Sequence, residues 1–213
     1  MRRCVLTIAD IANILGKNKK AAAVYAKRMV DKGLAQRVMG GRISLGKNDF
    51  AVASQLIQPS YISLYSAVYL KGLMLQVPSR IELATTKNTR TIAHFSYYKI
   101  SPKFFFGFEK TDIAGCYAMV AFPEKAVLDG LYLGKISFAQ FIELAGRLDI
   151  ERLEGFAKKM NAPTIHRLGY LLDKAKIKHS LSPISKKKYK LDMNGPASGR
   201  LDKTWNLILN AVV

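Results

Sequence analysis

Acidic residues are scarce in this chain. Its 213 residues include 15 Asp or Glu against 34 Lys or Arg, a formal charge of +19. A surface so short of carboxylates repels cations and attracts polyanions, of which nucleic acid is the commonest. An anionic membrane is another polyanion, but binding one calls for a basic amphipathic helix beside an anchor or apolar span. Long apolar runs are also missing. Nothing approaches the ~18 residues of a membrane-crossing helix, and the most apolar stretch, Tyr61 to Val77, is interrupted by Ser63, Ser66, Lys71, Gly72 and Gln76. The opening MRRCVLTIAD has two arginines but no apolar segment before Asp10, so no secretory signal is expected. No membrane association and a cytoplasmic location follow as expectations.

Residues that carry chemistry are few. Cys4 and Cys116 lie far apart without a Cys-x-x-Cys pair, and are expected to be separate reduced thiols. His94, His166 and His179 show no metal-ligand spacing, so neither a metal site nor a cofactor is expected. Thr85-Thr86-Lys87 lacks the glycines of a phosphate-binding loop. A nucleotidyltransferase needs a Gly-Ser turn followed by paired acidic metal ligands, and the reading here is Gly-Lys and Gly-Cys with neither an Asp-x-Asp nor an Asp-x-Glu pair. Glu124 and Asp129 are five residues apart, a poor match for one helix face, and read as structural. No catalytic residue is assigned, and the chain is not expected to be an enzyme. A mainly disordered chain is excluded by 49% hydrophobic and 10% aromatic residues.

The first fifty residues read as one compact unit. Thr7 is placed to cap a short helix with Ile8, Ile11, Ala12, Ile14 and Leu15 on its apolar face, ended by Gly16. Asn18 then caps KKAAAVYAKRMVDK, closed by Gly33, with Ala22, Tyr25, Ala26, Met29 and Val30 predicted to face inward. Two short runs, Leu34–Val38 and Arg42–Leu45, flank Gly40-Gly41, a hairpin signal. Helix, turn, basic helix and basic hairpin, in that order, is the layout of a winged helix-turn-helix. Residues 1–50 carry eleven Lys or Arg against three Asp. The candidate DNA contacts are Lys17, Asn18, Lys19, Lys20, Lys27 and Arg28 around the second helix, and Arg37, Arg42 and Lys47 around the hairpin. Lysines there give salt-dependent phosphate affinity, and no base-reading Asn or Gln stands out.

Beyond residue 54 the pattern mixes types. A helix is predicted over YISLYSAVYLKGL with Ser60 as its cap. Strands are predicted at 81–85, 91–100, 104–108 and 117–122, and a helix over PEKAVLDGLYLG opened by Pro123. Helical periodicity then dominates SFAQFIELAGRL, ERLEGFAKKM, TIHRLGYLLDKAK and LDKTWNLILNAVV. The loop before the last of these carries Lys186, Lys187, Lys188 and Lys190, a candidate second nucleic-acid patch or a solvated loop. The expected fold is α+β: a winged helix-turn-helix at 1–50, and at 55–213 a mixed domain with a helical C-terminal part.

The segment PSYISLYSAVYLKGLMLQVPSRIELATTKNTR, followed by FPEKAVLDGLYL, resembles the AbiEi antitoxin family. The matches include Ala121, Pro123, Glu124, Lys125, Ala126, Asp129, Tyr132 and Leu133, and the Leu6–Asp10 and Lys32–Arg37 stretches are similar to that family's helix-turn-helix and wing. The resemblance spans roughly residues 5–135. It implies a transcriptional repressor and antitoxin of a viral-defence, toxin–antitoxin operon, autoregulating through inverted repeats in duplex DNA with two protomers bound. The implied functional partner is a nucleotidyltransferase-like toxin that forms no stable complex with it. Two other readings stay open: an RNA-binding module using Tyr97, Tyr98 and the lysine cluster, and a nucleotidyltransferase-related enzyme.

Overall fold

The computed structural model describes residues 2–210, which form an α+β fold of eight helices and three β-sheets. The packing groups the chain into two compact units. One comprises Met1–Ile62, Ser79–Ile100 and Phe108–Val120, and the other Ser63–Pro78, Ser101–Gly107 and Ala121–Val213.

The first unit opens with strand β1 (Val5–Leu6) and helix α1 (Ile8–Leu15). Thr7 caps α1 through a reciprocal box with Asp10: the Asp10 N–H donates to Thr7 Oγ1 and the Thr7 N–H to Asp10 Oδ2. Gly16 closes the helix in the left-handed region, φ 61°, where an L side chain would be strained. Helix α2 (Lys19–Asp31) follows, capped by Asn18, whose Oδ1 accepts from Ala21 N–H at 2.9 Å. Strands β2 (Gln36–Val38) and β3 (Arg42–Ser44) form a hairpin around Met39–Gly41, and β1 adds on the other side of β3. Ile11, Ala12, Ala22, Ala26, Ala35 and Ile43 make a small core among these elements.

Helix α3 (Asp49–Leu56) comes next, where the sequence pattern suggested only a junction. It is buried on nearly every side from Ala51 to Leu56, so it has no polar stripe from which a helical period could be read. A six-stranded mixed sheet completes the unit: β4 (Ser60–Ile62), β5 (Ile81–Thr85), β6 (Arg90–Ile92), β7 (Phe95–Lys99), β8 (Phe108–Ile113) and β9 (Cys116–Ala121), in the order β6-β7-β5-β4-β9-β8. Ser60–Ile62 is thus a strand and Ser60 no helix cap. Its hydroxyl instead donates to the Ile57 carbonyl at 2.5 Å. The segment 91–100 is a hairpin turning at Ala93, φ 50°, rather than one strand.

Gln55 of α3 ties the small sheet to the large one. Its Oε1 accepts from the N–H groups of Cys4 (2.8 Å) and Val5 (3.1 Å), and its Nε2 donates to the Tyr117 carbonyl at 2.7 Å. The same junction holds a correction: Cys4 and Cys116 are joined as a disulfide, both almost wholly buried. Linear separation of 112 residues says nothing about spatial pairing, which here accompanies the β-bridge of Arg2 to Cys116.

In the second unit, α4 (Leu64–Leu70), α7 (Ile150–Ala157) and α8 (Ala162–Lys174) pack against the central α5 (Pro123–Leu133), and α6 (Phe138–Ala145) packs on α8. The span 104–108, predicted as a strand, holds instead the end of a single 3-10 turn (Pro102–Phe104) and the start of β8. A three-stranded sheet, β10 (Tyr189–Lys190), β12 (Leu207–Leu209) and β11 (Arg200–Asp202) in that order, replaces the helix expected over LDKTWNLILNAVV. Asp202 Oδ1 accepts from Trp205 N–H at 2.7 Å and Asn206 takes φ 52°, so the chain reverses there; the last three residues of that prediction lie outside the described residues. Trp205 is buried against α8, where a Cβ on Gly169 would come 2.0 Å from the indole ring. Only glycine leaves room for it.

Candidate nucleic-acid interface

Helix α2 buries little of itself. Ala22 and Ala26 are enclosed against the core, and Met29 and Val30 are half-buried. Lys19, Lys20, Ala23, Val24, Tyr25, Lys27 and Arg28 all face solvent. Two buried alanines four residues apart bring the backbones of α1 and α2 together, so one narrow stripe suffices for anchoring. Tyr25 was expected inside, but it stays 40% exposed because Ala22 and Ala26 define the contact line. Its aromatic ring therefore joins the cationic face, as does Val24 at 49%. Helical spacing places Lys20, Val24, Lys27 and Arg28 along one outward stripe.

Lys17 is exposed in the turn between the helices, and its N–H donates to the Ala12 carbonyl at 3.0 Å. Asn18 is committed to its cap. The other N–H groups of the first turn and the positive end of the helix dipole lie beside Lys19 and Lys20, a setting that favours an oxyanion.

The hairpin carries its cations less uniformly. Arg37 is exposed on β2, and Lys47 is exposed beyond β3. Arg42 differs: the register puts it opposite Val38 at the base of the loop, and its guanidinium donates to the Leu56 carbonyl at 3.1 Å. It is half-buried there, so Met39 and the two glycines, not Arg42, form the tip. Nearby, Arg3 pairs with Asp10 at 3.3 Å. Hydrogen bonds from Thr7 hold the Asp10 carboxyl below the usual carboxylate range, so Asp10 stays ionised.

The other sequence candidates separate by burial. Lys186, Lys187 and Lys188 are exposed, whereas Lys190 donates to the Gly195 carbonyl at 2.7 Å and its own carbonyl accepts from Arg167 Nε. Tyr97 is fully buried with its hydroxyl on the Ala53 carbonyl at 2.7 Å, so its ring is closed to a stacking base. Tyr98 is half-buried.

The helix motif that carries the family resemblance is an internal structure. Lys125 and Asp129 of α5 are buried and ion-paired, and Ser63 Oγ donates to Asp129 Oδ2 at 2.7 Å. Burial pushes the Lys125 ammonium down, against the pull of Asp129. Glu124 Oε1 accepts from the Asp149 N–H at 3.0 Å. The expected absence of an Asp-x-Glu pair is incorrect, since Asp149 and Glu151 have that spacing. The pair sits at the start of α7, where Asp149 caps the helix by accepting from Arg152 N–H. Among the described residues, no three His, Cys, Asp or Glu side chains are grouped to hold a metal ion, and no helix is long and apolar enough to cross a membrane.

No protein-family model matches the chain, and no curated protein sequence does. The fold is similar to the crystal structure of the Rv2827c protein from Mycobacterium tuberculosis, with a TM-score of 0.58 at 14% identity, covering 97% of this chain and 86% of that one. The likeness extends over both compact units and concerns the fold alone.

Proposed function

We propose that the chain is a duplex-DNA-binding transcriptional repressor, an AbiEi-type antitoxin that represses its own toxin–antitoxin operon. The observation that carries this reading is the face of α2: a helix held by two alanines that turns four cations, Tyr25 and an accessible N-terminus to solvent beside a basic hairpin. Helix α2 lies in the major groove as the recognition helix, Lys19 and Lys20 meet phosphates at its N-terminal end, and the hairpin flanks it as a wing. Inverted repeats take two protomers, one per half-site. The toxin is a nucleotidyltransferase-like protein acting without a stable complex. The chain works in the cytoplasm, where reductants oppose disulfides; the Cys4–Cys116 pair is enclosed from them by burial.

The burial of Tyr97 weighs against a single-stranded RNA platform at Tyr97 and Tyr98, since an enclosed ring offers no stacking face. Fluorescence anisotropy with duplex from the chain's own upstream region, a scrambled duplex and single-stranded RNA, over a salt series, tests the reading. Preference for the native duplex that persists as salt rises supports it. Equal and steeply salt-dependent binding to all three would mean that the +19 charge is only an adhesive surface, and would remove the operator assignment.

A further inference from the structure

Beside the wing, a groove of about 300 Å³ is bounded by Met39 and Arg42 of the hairpin, Arg3, the end of α3, and Lys87 and Arg90 at the outer edge of the six-stranded sheet. Four cations and no carboxylate line it. Two of the four are already engaged: Arg3 with Asp10, and Arg42 with the Leu56 carbonyl. That engagement fixes their positions in the wall. Lys87 and Arg90 are exposed, and among the described residues their side chains have no hydrogen bond or ion pair. Charges of one sign gathered in a concave surface focus the potential on whatever enters. The guanidinium forks suit phosphate oxygens.

We infer that this groove takes the phosphodiester backbone of the DNA flanking the half-site, extending the interface from the wing onto the sheet edge. The inference rests on the DNA-binding reading above. The wing tip at Met39 is itself one wall of the groove, so a strand tracked by the hairpin leads into it without a gap. Lys87 and Arg90 then neutralise about two further phosphates, lowering the slope of log K against log salt by roughly two. They contribute affinity to any flanking sequence and no base preference.

The test uses the full chain, two duplexes and three proteins. One duplex ends at the half-site and the other continues about ten base pairs outward on the wing side. The proteins are wild type, Lys87→Ala/Arg90→Ala, and a control, Lys176→Ala/Lys178→Ala, that removes two exposed cations elsewhere. Wild type is expected to bind the long duplex roughly tenfold tighter with a steeper salt slope. Lys87→Ala/Arg90→Ala is expected to lose that gain and bind the short duplex as wild type does, while the control keeps it. If wild type gains nothing from the longer duplex, or Lys87→Ala/Arg90→Ala keeps the gain, the groove assignment is overturned and the helix reading stands. If wild type binds neither duplex better than scrambled DNA, both readings fall together. Far-UV circular dichroism of each variant confirms that a loss is not unfolding.

Discussion

Two lysine-bearing helices of this chain are opposites. Helix α2 exposes all of its lysines and buries two alanines, whereas α5 encloses Lys125 together with Glu124 and Asp129. In α5 the charges hold the helix to its neighbours: the pair is desolvated, hydrogen-bonded through Ser63, and costly to break. In α2 the charges do nothing for the fold, since exposed cations without partners contribute little to stability. A lysine in a motif can therefore mark a structural element or a binding face, and burial separates the two. The segment that carries the strongest family resemblance is the structural one.

The largest effect that would break this comparison lies in α5. Asp129→Ala leaves Lys125 buried and unpaired, and is expected to lower stability by about 3–5 kcal/mol in chemical denaturation. Lys125→Met/Asp129→Leu removes both charges and is expected to recover most of that loss. A neutral Asp129→Ala variant would mean that α5 is not built on this pair. A smaller effect is expected at the start of α2, where Asn18→Ala removes the cap from the Ala21 N–H. The thermal or denaturant midpoint should report about 1 kcal/mol of destabilisation. No change there would show that Asn18 is available to DNA and not to the helix.

A still subtler contrast concerns pH. His166 is buried, with Nδ1 on the Trp205 carbonyl at 2.6 Å and Nε2 facing the Ile184 N–H at 3.1 Å. An N–H pointing at Nε2 requires the neutral ring, and burial lowers the pKa below its ordinary 6.5. The unfolded chain therefore takes up a proton below about 6.5 that the folded chain refuses, so stability falls as the pH drops through that range. Denaturation midpoints between pH 7.5 and 5 should decline for wild type and decline less for His166→Gln. Equal slopes would show that His166 does not titrate against folding.

The sequence made the capped helices legible. Thr7, Asn18 and Pro123 sit where start signals belong, and α1, α2 and α5 begin there. It was silent where burial erases periodicity, as in α3. It misled where a short apolar run fits two structures: Ser60–Ile62 looked helical and pairs as a strand, and the stretch at Trp205 looked helical but turns back on itself. In the candidate site, the exposed lysines of α2 were readable from spacing. The outward turn of Tyr25 was not, because it depends on how closely two alanines let α1 approach. The tethering of Arg42 to Leu56 was hidden for a similar reason, since it depends on α3, the helix the pattern did not reveal. Groove residues Lys87 and Arg90 carried no signal, being isolated cations until the fold brings them beside the wing.

The central claim, that the α2 face binds DNA and has no part in holding the fold, is tested most directly by the Lys19→Ala/Lys20→Ala/Arg28→Ala variant, with affinity for the native duplex and unfolding stability measured on the same preparation. The account predicts a salt slope reduced by about three and most of the affinity gone, with stability within about 0.5 kcal/mol of wild type. Undiminished binding by a fully folded variant would contradict it and move the interface elsewhere on this basic surface.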